Sequence, residues 1–214
     1  MTNVYYLPSE VVIHNTPDDI WVTYLGRVYN LTELVKEYEG QDVIKPILAF
    51  AGKDISHWFD RFTGEIRHMI HPITGARVPY TPHGRIPHVG LHVPTTAWRP
   101  LQTLPWWADP KYLIGNLTQG MRNVRVLNVL TGQENVITVC KEDKLSRIME
   151  RLMRFNSHCA SYTFKFETRV LDMDKTLEEN HIPDERETFC DVGLPEDYYI
   201  PCLMLYYNDD FTTA

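Results

Sequence analysis

The chain has 214 residues, 43% hydrophobic and 23% charged, a composition of folded protein with length for one large or two small domains. Its formal net charge of −7, without a basic stripe, argues against nucleic acid as a partner. No run approaches the ~18 apolar residues of a membrane span, and the opening MTNVYYLPSEVV lacks a basic and then apolar leader. A soluble, intracellular protein without a membrane partner is therefore expected.

The first elements read as a hairpin and two helices. WVTYLGRVYNLT gives an apolar strand from Ile20 to Leu25, a turn centred on Gly26 and Arg27, and a return through Val28 and Tyr29. TELVKEYEG follows, with Thr32 as N-cap, Leu34 and Val35 on one face, and Gly40 where the helix stops. DVIKPILAFAG repeats the pattern, with Pro46 near the first turn and Gly52 as the stop. Six of the nine histidines then fall between His57 and His92.

Eight of the fourteen prolines lie between Pro72 and Pro110, a density that no regular helix or central strand survives. The same stretch carries Trp98, Trp106 and Trp107, which are costly to leave in water. An ordered linker over 76–120, pinned onto a domain or a partner surface, is expected between a first domain at 1–75 and a second at 121–214.

Beyond it the pattern turns β-rich. NVRVLNVL and ENVITVC, separated by TGQ, form a hairpin signature. KLSRIMERLMRF spaces Leu145, Ile148, Met149 and Leu152 on one helical face, and SYTFKFE and IPCLMLYYND close the domain as strands. The fold class expected for the whole is α+β. All four cysteines, Cys140, Cys159, Cys190 and Cys202, lie in this half without close pairing, which suits reduced and mostly buried thiols. Cys159 follows His158 directly, and neighbours on a strand point to opposite faces, so a cysteine hydrolase is not expected.

The first half resembles the cytochrome b5 haem-binding fold. Trp21, Gly26, Val28, Tyr29, Leu31, Thr32, Gly52 and Asp54 keep that family's places, but its His-Pro-Gly-Gly is here Tyr38-Glu39-Gly40-Gln41. The AGKD of Ala51 to Asp54 is also similar to the AGRD of the membrane-associated progesterone receptor branch, in which a tyrosine ligates haem. The second half is similar to ubiquitin in the order of its segments, including TLEENHI from Thr176 to Ile182, but ends without a diglycine tail, so a docking module rather than a conjugated modifier is expected. The combination of a b5-like domain, PWW and a ubiquitin-like (β-grasp) domain resembles a family of ciliary radial-spoke proteins.

That resemblance implies a non-catalytic protein of the cilium or flagellum, cytoplasmic and cytoskeletal, whose partners are radial-spoke and other axonemal proteins. It also implies haem, with a role in redox-linked control of beating. Tyr38, at the family's first ligand position, is the leading axial donor. A phenol ionises near pH ~10 in water, and as a hard anionic ligand favours the ferric ion. His68 is the preferred second donor, with Met69, His71 and His57 as the alternatives. Tyr38 capping a small core is the competing reading. His83, His88 and His92 have no spacing that suits zinc. An electron-transfer component and a haem-free scaffold are the other two functions these residues allow.

Overall fold

The expected hairpin is present, as β3 (Asp19–Tyr24) and β4 (Arg27–Asn30), and it turns on Leu25 and Gly26, whose φ angles of 45° and 75° suit the twist of a two-residue loop. A computed structural model describes residues 4–90 and 103–208 of the chain. They divide into two units, 1–117 and 118–214.

In the first unit, β1 (Tyr5–Tyr6), α1 (Pro8–Val12) and β2 (Asn15–Thr16) precede the hairpin. After it come α2 (Thr32–Glu37), a 3-10 turn at Asp42–Ile44 that leads into α3 (Lys45–Ala49), and a second 3-10 turn at Ser56–Trp58. Thr32 is the first helical residue rather than the cap. Its hydroxyl accepts the Ile20 N–H at 3.1 Å and so fastens α2 to β3. Gly52 stops α3 at φ +73°, where a Cβ would come within 3.0 Å of the Val12 carbonyl oxygen. Asp54 accepts the Thr23 hydroxyl at 3.0 Å, so the AGKD stretch is laid against the sheet.

Where it is described, the Pro-rich region belongs to the first unit and is not a separate linker. β5 (His68–Ile70) and β6 (Arg77–Pro79) make a small two-stranded sheet, and β7 (Leu113–Leu117) enters the main sheet in the order β1-β7-β4-β3-β2. Trp106 and Trp107 are 0% and 8% exposed and pack in the core with Tyr29, Phe59 and Leu34. Residues 103–117, expected in a linker, thus belong to the first unit, because the two indoles bury their apolar area there. Trp98 and His92 lie outside the described residues.

The second unit contains its expected hairpin, helix and closing strands, and adds the strand Arg169–Val170 and the helix Arg186–Asp191, which the sequence reading did not expect. β8 (Met121–Asn128) and β9 (Glu134–Cys140) form the hairpin, α4 (Leu145–Leu152) crosses the sheet, and β10 (Tyr162–Phe166), β11 (Arg169–Val170), α5 (Arg186–Asp191) and β12 (Cys202–Tyr207) follow. The sheet order is β11-β10-β12-β8-β9, with β12 parallel to β8 in the middle, which is the arrangement of a β-grasp. Leu145, Ile148 and Leu152 are the buried stripe of α4. Leu177 and Ile182 of TLEENHI are both 1% exposed, and Asn180 between them ties the turn to the Asp172 and Thr176 carbonyls. Cys140 and Cys159 are buried, whereas Cys190 is exposed and Cys202 half-buried. His158 and Cys159 open a 3-10 turn rather than a strand, and burial pushes the Cys159 thiol up from its ordinary range, away from a reactive thiolate.

Candidate functional site

Tyr38 sits where α2 ends. Its N–H still donates to the Leu34 carbonyl at 3.2 Å, and Gly40 at φ +76° turns the chain away two residues later. The ring is half-buried against the core, and its aromatic neighbour is His88, edge-on at 6.0 Å between centroids. Burial, and secondarily the charge of Glu37, push the phenol up from its ordinary value of 10.0. Both causes oppose the phenolate that iron requires.

His88 has its own commitments. Nδ1 accepts the backbone N–H of Trp106 at 3.0 Å, so the neutral ring carries its proton on Nε2. Neither nitrogen then has a lone pair to give a metal. Burial pushes the imidazole below its ordinary 6.5, while the charges of Glu37 and Asp109 act the other way.

The segment that carries His88 lies across α3 and the second 3-10 turn. His83 packs on Phe50 at 4.7 Å and on His57 at 5.9 Å, a Cβ at Gly84 would touch Pro46 at 3.4 Å, and Ile86 is 2% exposed. The chain's own residues therefore cover the helical face from Phe50 to Tyr38. The polar atoms left unpaired in this core, the indole N–H groups of Trp58 and Trp106, are donors, which iron does not accept.

The other expected ligands lie elsewhere. His68 and Met69 are exposed on β5 and line a 600 Å³ groove with Asp60, Glu65 and Arg77, a set that does not include Tyr38. His71 closes the turn of that hairpin, its Nδ1 accepting the Thr74 N–H at 3.2 Å. His57 is exposed beside Phe50 and Trp58. Tyr38 thus lies beside His88 and His68 in the β5 groove, and neither the phenol, held toward its protonated form, nor the engaged His88 ring fits an axial donor as arranged. Among the described residues, no group of three metal-ligating side chains forms, and no helix is long and apolar enough to cross a membrane.

Sequence reasoning put Tyr38 at the right joint but missed its neighbour. His88 lay among prolines with no periodicity to place it, and its partner Trp106 is 18 residues away.

The first unit defines the class of the chain: residues 8–117 match the cytochrome b5-like heme/steroid binding domain. The human cytochrome b5 domain-containing protein 1 is 45% identical over 97% of this chain and 91% of its own, and the Xenopus laevis protein of that name is 44% identical over 97% and 96%. The chain belongs to the cytochrome b5 domain-containing protein 1 family. Neither name states an enzyme activity. A designed protein based on ubiquitin covers 45% of this chain at 16% identity with a TM-score of 0.33, a score that adds nothing to the strand order described above.

Proposed function

We propose that this chain is a non-catalytic docking protein of the ciliary axoneme, attached at the radial spokes, whose b5-like domain serves as a closed structural module. The observation that supports it is the closure over α3: His83 packs on Phe50, Ile86 is buried, and His88 lies edge-on beside Tyr38. Electron transfer is disfavoured by the same geometry, since a shuttle needs two strong donors held alike in both oxidation states. The ciliary part rests on the resemblance of the two-domain sequence to spoke proteins. Haem on Tyr38 alone is a second reading, favoured by one feature: the phenol makes no hydrogen bond to a described residue.

The docking is tested by expressing the tagged full chain in ciliated cells and extracting isolated axonemes with detergent. Retention with the spoke fraction, lost when spokes are absent, is the expected result. Complete release with the detergent-soluble matrix, at wild-type folding, contradicts it.

A further inference from the structure

Residues 183–201 join Ile182 to β12, a connection longer than the roughly 12–15 residues beyond which such segments are usually functional or unstructured. This one is structured and fixed to β8 at both ends. The buried Arg122 donates to the Ile182 and Pro183 carbonyls at 3.0 and 2.9 Å, and the Pro201 carbonyl accepts the Arg125 N–H at 2.9 Å. Within it, the Leu194 N–H closes α5 on the Phe189 carbonyl at 2.9 Å, and the Tyr198 ring lies 5.7 Å from that of Phe189.

Between its two anchors the connection covers nothing. α5 has no buried residue, and residues 191–199 are all exposed. Val192 and Tyr198 show 68% and 64% of their surface to water, with Leu194 and Tyr199 exposed beside them in sequence. An anchored helix with no face of its own buried and apolar side chains in water is an interaction surface.

The charge of this surface selects its partner. Six carboxylates against Arg186 alone fall between Asp184 and Asp197. α5 also lines a 480 Å³ groove whose two cations are already engaged, Lys141 with Glu178 at 3.2 Å and Arg186 with Asp184 at 2.6 Å. Glu187, Asp191 and Glu196 line the same groove, are exposed, and form no ion pair or hydrogen bond among the described residues. The groove is therefore left negative, and cationic side chains are what complement it.

We infer that α5 and the connection around it dock a Lys- or Arg-rich segment of another protein that also carries apolar side chains. Glu187, Asp191 and Glu196 select the cations, and Val192 and Tyr198 supply the apolar contacts. The inference rests on the docking reading above and gives it a surface. A peptide probe tests it away from axonemes, so failure here leaves axonemal retention standing.

The test uses the full chain, 15N-labelled, with an acetylated and amidated dodecapeptide of Lys, Leu and Gly in equal numbers, and its counterpart with Glu for Lys. Saturation with the Lys peptide should shift amide resonances within residues 183–201, and the Glu peptide should not bind. The combined surface changes Glu187→Gln, Asp191→Asn and Glu196→Gln should weaken the Lys peptide at least tenfold. The same loss of charge at three other exposed positions, Asp18→Asn, Glu39→Gln and Asp174→Asn, should weaken it less than twofold. Val192→Ser, which leaves the charge unchanged, should weaken it severalfold. Equal loss in the two triple variants overturns the proposal, because the peptide would then respond to net charge alone. Binding of the Glu peptide, or shifts confined to other parts of the chain, overturns it as well. Self-association of the free chain through residues 183–201 would also overturn it, by making a second copy the occupant.

Discussion

His88 Nδ1 accepts the backbone N–H of Trp106 at 3.0 Å, joining two places 18 residues apart around the end of α2. The bond requires a neutral ring, because an imidazolium has no acceptor. Burial keeps the folded-state value of His88 below the ordinary 6.5, so the unfolded chain takes up its proton first as the pH falls. The closure is therefore fully stable above the ordinary value and weakens as the pH drops through 6.5 and then through the lower folded value. The protection factor of the Trp106 amide, its intrinsic exchange rate divided by the observed one, should fall over that window, and His88→Gln should remove the dependence. A protection factor that stays constant from neutral pH to below the folded-state value would show that the ring does not hold the segment.

Trp106 is fully buried between Tyr29, Phe59 and Trp107. Replacing it with alanine removes the largest buried side chain of the unit and should cost about 3–5 kcal/mol. Urea denaturation of the full chain should show the first unit melting earlier, with the second unit's transition in place. An unchanged midpoint would mean that the indole is not part of the core.

Tyr24 donates its hydroxyl to the Gly64 carbonyl, and burial pushes its phenol from 10.0 to about 12, with Tyr29 and Glu65 adding to the shift. A raised folded value means that the unfolded chain loses this proton first. The resulting stability is intact below pH 10, falls through the interval up to about 12, and is gone above it. Phenolate absorbance should accordingly lose a component titrating near 12 in Tyr24→Phe.

In the second unit Arg151 Nε meets Asp143 at 2.8 Å with both side chains almost fully buried, and Asp143 also accepts the Cys140 N–H at 3.0 Å. Asp143→Ala removes the carboxylate that holds the buried Arg151 Nε and the Cys140 N–H and should destabilise this unit by about 3–5 kcal/mol. Chemical denaturation read from the second unit's transition checks it. Asp143→Asn should recover part of the loss, because its side chain still accepts hydrogen bonds.

The second unit was legible because its signals are local: strand alternation, the TGQ turn and the 3.6-residue stripe of α4 each lie within one short window. The first unit's hairpin and the existence of its two helices were legible for the same reason, although Thr32 proved the first helical residue and not the cap. What escaped was long-range. β7 pairs with β4 and β1 although YLIGNL stands after a run of prolines, and nothing local shows that Gly115 is needed there. A Cβ on Gly115 would lie 2.6 Å from the Val4 carbonyl oxygen and 2.7 Å from the Tyr6 ring, so Gly115→Ala should detach or shift β1. The closure escaped for a similar reason, since His83 and His88 are placed by contacts with Phe50 and Tyr38 and not by any period of their own.

The closed b5-like domain is tested most directly by titrating the full chain, wild type and Tyr38→Phe, with hemin at neutral pH and recording the visible spectrum before and after reduction. With Tyr38 beside His88 and the His88 ring held by Trp106, the expected result is no saturable Soret shift in either protein. A stoichiometric, six-coordinate spectrum that survives reduction would contradict the closure, and a ferric spectrum lost in Tyr38→Phe would restore Tyr38 as a haem ligand.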